Sequence, residues 1–124
     1  MRYAWPMDTD DSLQQLRGKL AGFAAERDWD QFHNPKNLVM ALVVEAGELV
    51  EHFQWLSPAE AAALPAASRA EVAMEMADVL MFLLRLADKL DVDLISAAHE
   101  KLELNRQKYP VGKARGRATK YDKL

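Results

Sequence analysis

A chain of 124 residues, half of them hydrophobic and with only five Gly and five Pro, reads as one domain that commits most of its apolar side chains to a single helical core. Sixteen Lys and Arg against nineteen Asp and Glu leave a formal net charge of −3, which argues against a nucleic-acid polymer as partner. The absence of cysteine excludes disulfides, zinc–thiolate centres and thiol nucleophiles.

The first segment, MRYAWPMDTDDSL, lacks the apolar centre of a signal peptide. The longest apolar run, Val79–Leu84, is stopped by Arg85 far short of a bilayer. A cytoplasmic protein without a membrane partner is expected. The first helix is predicted over about Ser12–Trp29, with Asp10, Asp11 and Ser12 as candidate caps and Leu13, Leu16, Leu20 and Phe23 as its stripe. The second opens at Asn34, with Pro35 at its first position, and runs to about Leu56. Ser57–Glu60 and Ser68–Glu71 both match the capping-box spacing; Pro65 separates a short helical turn from a third long helix ending near Leu90. A fourth begins near Asp91–Asp93 and stops before Pro110. A tail from about residue 111 carries Lys113, Arg115, Arg117, Lys120 and Lys123 against Asp122, either a solvated terminus or a phosphate contact. No segment shows strand alternation, so the expected fold is an all-α four-helix bundle, residues 1–124 forming one domain. Self-association would bury the apolar surface left over.

Two helices share an anomaly. At 100° per residue, Leu38, Leu42, Leu49 and Leu56 fall within roughly 40° of one another, Glu45 lies about 20° from that stripe and Glu48 about 60° further round. In the third helix Val72, Val79, Leu83, Leu86 and Leu90 form the stripe, with Glu75 about 20° from its edge and Asp78 about 60° beyond. Ionised carboxylates on an apolar seam lose hydration and persist only if paired, protonated or bound to a cation. Arg69 and Arg85 are the only cations of the third helix before its last turn, too few to neutralise both pairs. A shared cation is the better account; pairing with basic partners in a non-enzymatic interaction module is the rival.

An all-carboxylate donor set suits Mg²⁺ or Mn²⁺. A di-iron centre would want Glu-x-x-His on two helices, whereas Glu45 and Glu75 are followed at i+3 by Glu48 and Asp78; His52, four after Glu48, keeps iron open. His33 could be a ligand, a base or an organiser of the helix entry. His99, in a charged stretch, is expected at the surface. By themselves Trp29 and Trp55 read as core, and the six Met as core filling.

Taken in order, Phe23–Trp55 (FAAERDWDQFHNPKNLVMALVVEAGELVEHFQW), Glu71–Leu94 (EVAMEMADVLMFLLRLADKLDVDL) and Lys101–Val111 (KLELNRQKYPV) resemble the MazG-like all-α nucleoside triphosphate pyrophosphatases, most closely the dCTP pyrophosphatase branch. The resemblance implies that Glu45, Glu48, Glu75 and Asp78, an ExxE and an ExxD, bind Mg²⁺ and that a deoxynucleoside triphosphate is cut to monophosphate and pyrophosphate. It implies pocket roles for Trp29 and Trp55, phosphate and sugar contacts for Lys101, Asn105 and Tyr109, and pockets built between subunits of a homodimer or homotetramer; His33 and Phe82 are counted with these as substrate-binding residues. The tail with Tyr121 is similar to a segment that closes over a neighbour's substrate. Glu48 is the carboxylate assigned to take the water's proton. Two positions depart from the pattern: Leu20 stands where a His is frequent, and Phe82 where a Tyr is frequent, both near the base pocket.

Overall fold

The computed structural model describes residues 12–124, so the cap assignments to Asp10 and Asp11 lie outside the described residues. Every described element is helical: α1 Ser12–Glu26, a 3-10 turn Asp30–Phe32, α2 Pro35–Glu51, α3 Pro58–Ala62, α4 Ala66–Leu90, α5 Leu94–Lys108, α6 Val111–Ala114 and a last 3-10 turn Tyr121–Lys123. The chain forms two compact units, one ending at Asp91 and one spanning Val92–Leu124. In the first unit α2 and α1 both pack on α4, and α1 also meets the 3-10 turn.

Helix α1 stops three residues before the expected end, and the reason is local. Asp28 adopts φ 55°, a left-handed conformation; its N–H bonds the Ala25 carbonyl at 3.1 Å while the Trp29 N–H reaches back to Ala24 at 2.8 Å. These two bonds are those of a Schellman motif, with the apolar residue after the left-handed one folded back on the last turn. That residue is Trp29, packed edge-on against Phe23 with ring centroids 5.7 Å apart. The next helix starts as the sequence requires. Asn34 Oδ1 accepts from the Asn37 N–H at 2.9 Å, and Pro35 occupies the first turn, where its missing N–H costs nothing.

The two capping-box candidates part company. Ser57 Oγ accepts from the Glu60 N–H at 3.1 Å and Glu60 Oε1 accepts from the Ser57 N–H at 2.9 Å, a complete box. Ser68 and Glu71, by contrast, lie inside α4, which already begins at Ala66 directly after Pro65. Ala66 and Ala67 favour helix more than any other residue type, and they extend it back to the proline. Helix α2 likewise ends at Glu51 rather than near Leu56, passing into turns through Trp55. Asp91, at φ 54°, closes α4, and the Asp93 side chain caps α5 by accepting from Ser96 N–H at 3.1 Å.

Ala24, Leu38, Val72, Leu84 and Ala87 are the buried apolar residues. Leu13, Leu16 and Leu20 of α1, Leu42 and Leu49 of α2, and Val79, Leu83 and Leu86 of α4 are half-buried, as their stripes require. Leu90 and Phe23, expected on the same stripes, are exposed. In the second unit Tyr121 returns to the end of α5, its ring edge-on to Tyr109 at 6.0 Å with Lys108 Nζ 4.9 Å above it. Among the described residues no helix is long and apolar enough to cross a membrane.

Candidate active site

Because α2 and α4 pack along each other, the acidic edges of their two stripes meet. Glu45 and Glu48 from α2 and Glu75 from α4 each offer an oxygen within 4.8 Å of the others. Glu45 Oε2 and Glu75 Oε2 are buried without a hydrogen-bond partner. Such orphaned oxygens are costly to leave dry, and a cation bound between them would satisfy both. The residues present therefore fit a metal centre.

The electrostatics agree. Burial, then a hydrogen bond with Glu48, then the charges of Glu48, Asp78 and Glu75 push the Glu45 carboxyl up to about 7. Glu75 is raised by the same causes in the same order, burial first, then the bond to Glu48 and the charges of Glu48 and Asp78, with His52 pulling the other way. Glu48 is thus the shared neighbour of the other two. Asp78 stands outside the close group of oxygens, yet its charge acts on both Glu45 and Glu75.

His52, the residue that ends α2, places Nε2 3.8 Å from Glu75 Oε1. The sequence shows it only as a possible iron ligand four after Glu48; its approach to Glu75 is an inter-helix contact that spacing along α2 cannot reveal. Arg85 is engaged by other acids than the glutamates of this cluster. It pairs with Asp30 at 2.8 Å and Asp88 at 3.1 Å, and its Nε donates to His33 Nδ1 at 3.2 Å. His33 therefore sits in a basic and acidic cluster with the Asp30–Phe32 turn, apart from the close carboxylate group. Trp29 is half-exposed beside Phe23, Trp55 is 87% exposed after α2, and Phe82 is half-buried on α4. Lys101 is exposed on α5, where Asn105 and Tyr109 are half-buried.

The family model that describes the MazG-like family matches residues 40–124, which include both carboxylate pairs. The chain belongs to the MazG-like family. It is 49% identical over 117 residues to dCTP pyrophosphatase 1 of Mus musculus, covering 93% of this chain and 69% of that protein. The Homo sapiens protein of the same name is 44% identical over 93% of this chain and 69% of its own length. Among solved structures, a pyrophosphatase from Archaeoglobus fulgidus superposes with a TM-score of 0.77 at 34% identity, covering 89% of this chain and 98% of that one. The all-α arrangement with four long helices is that of this MazG-like fold.

Proposed function

We propose that this chain is a Mg²⁺-dependent nucleoside triphosphate pyrophosphohydrolase that converts dCTP, or a modified dCTP, to the monophosphate and pyrophosphate, a reading supported by its relatives named dCTP pyrophosphatase 1. The observation that carries the reading is the convergence of Glu45, Glu48 and Glu75 with two buried, unpartnered oxygens. Glu45, Glu48 and Glu75, with Asp78 beside them, are the residues assigned to hold the ion. An all-oxygen donor set supports Mg²⁺, with Mn²⁺ as the substitute. When bound, the ion polarises phosphoryl oxygens and lowers the pKa of a bound water.

The chain's own side chains divide the remaining work. Glu48, adjacent to both other carboxylates, takes the proton from the attacking water. The faces of Trp29 and Trp55 stack on the base, and the Phe82 ring lines the same pocket without offering a hydroxyl. Lys101 contributes charge to the polyphosphate, and Asn105 and Tyr109 contribute hydrogen bonds to sugar or phosphate. These assignments follow the motif positions of the resemblance. Self-assembly as a dimer or a dimer of dimers is supported by the apolar residues left exposed on α2 and α4, among them Val39, Met40, Val43, Val50, Met74 and Leu80.

A nucleotide panel with Mg²⁺, with the products resolved, tests the reaction. Equal amounts of monophosphate and pyrophosphate from dCTP are expected, with other bases slower. Release of orthophosphate with a diphosphate would overturn the assigned bond, and no turnover of any nucleotide would overturn the reading.

A further inference from the structure

Arg85 is the buried charged residue of the described chain, 4% exposed. All three of its nitrogens are used: Nη1 donates to Asp88 at 3.1 Å, Nη2 to Asp30 at 2.8 Å and Nε to His33 Nδ1 at 3.2 Å. Asp30 also takes Lys89 at 2.6 Å, and Asp88 takes Arg17 at 2.9 Å. Among the described residues three cations thus meet two carboxylates, and the His33 ring faces the Arg85 guanidinium directly.

A guanidinium has only N–H groups and keeps its proton at all ordinary pH. The imidazole nitrogen facing Arg85 Nε must therefore present a lone pair. With Nδ1 unprotonated, the neutral ring carries its proton on Nε2. A protonated ring would bring two N–H groups and a charge against the guanidinium. Consistently, the His33 pKa is lowered, first by burial and then by Arg85, with Asp30 opposing. In this form His33 is neither a general base nor a metal ligand through Nε2, since that nitrogen has no free lone pair.

We infer that Arg85 is a positioning residue that locks His33, already counted among the substrate-binding residues, as a neutral Nε2–H donor next to the turn that follows Trp29. The lock stands on the Arg85 geometry alone; the use of that donor by an acceptor oxygen of the nucleotide rests on the proposed function. The clamp also ties the Asp30–Phe32 turn to α4, so the donor and the Trp29 ring are held on one short segment. Its loss does not strand the acids, because Asp30 keeps Lys89 and Asp88 keeps Arg17.

Long-range ¹H–¹⁵N correlation of the histidine rings in the intact protein tests the lock directly. His33 is expected with an unprotonated Nδ1 and a protonated Nε2, and Arg85→Met is expected to collapse that pattern to the averaged shifts of a free ring. A protonated Nδ1 in the wild-type chain, or a ring unchanged by Arg85→Met, overturns the inference whatever the enzyme does. For the donor role, His33→Phe should raise KM for dCTP about tenfold with kcat nearly unchanged, the loss of about one neutral hydrogen bond. His33→Gln, which keeps an N–H near the Nε2 position, should restore KM. Equal KM values for the two variants and the wild-type enzyme would overturn it, and both measurements remain possible if Arg85→Met does not fold. Inorganic tripolyphosphate as a competitor identifies the acceptor: an inhibition constant unchanged by His33→Phe places it on the nucleoside, and a raised one places it on phosphate.

Discussion

Glu45 is held against its own preference for charge. Its pKa of about 7 in the folded chain lies above the ordinary 4.5, so the protonated form stabilises the fold. That contribution is complete below 4.5 and is lost as pH rises through 7. Metal-free protein should therefore melt at progressively lower temperature as pH is raised across that window. On the proposed function Mg²⁺ would compete with the proton for the same oxygens, so its affinity and the thermal shift it causes should grow over the same range. Melting curves in chelator and in Mg²⁺ from acid to neutral pH check both; a metal-free profile that rises with pH would contradict the assignment. Replacing two of the crowded acids isolates the trade-off between stability and function. The pair Glu45→Gln with Glu75→Gln should raise the metal-free melting temperature, abolish the Mg²⁺ shift and reduce turnover by more than about a hundredfold, since a bound ion contributes several kcal/mol to the transition state. Calorimetric titration of Mg²⁺ alongside the assay separates loss of binding from loss of folding.

Helix ends decide where Trp29 and His33 stand. Asn34 satisfies an otherwise unpartnered N–H at the start of α2, and Asn34→Ala should cost about 1 kcal/mol by chemical denaturation. Asp28 pays for its left-handed backbone at the end of α1. Asp28→Gly should therefore leave the fold intact and be neutral or stabilising by up to about 1 kcal/mol, whereas a β-branched residue there should destabilise it. The sequence made the helices and their acidic edges legible, because periodicity is a property of each segment by itself. Ser57–Glu60 was readable for the same reason, both partners of the box being three residues apart. Ser68–Glu71 has the same spacing and is not a cap, because two preceding alanines carry the helix past it. The Arg85 clamp was not readable: Asp30 and His33 are more than fifty positions away, and only the packing of α1 and its following turn beside α4 brings them together. His52 beside Glu75 was hidden in the same way.

At the scale of the molecule, the surplus of apolar surface is the outstanding feature. Val39, Met40, Val43 and Val50 all stand exposed on α2. A surface of this kind is normally covered by another protein surface. Sedimentation equilibrium should show a dimer or larger species, and Val43→Lys should shift it towards monomer; a monomeric wild-type chain at all concentrations would refute the assembly. Trp55, whose indole is 87% exposed, belongs to the same balance. Trp29 leans on a phenyl ring while Trp55 stands almost wholly in water, so these two of the chain's three tryptophans begin in different surroundings. Whatever covers Trp55 should shift its emission to shorter wavelength, turning this residue into a built-in optical gauge of occupancy.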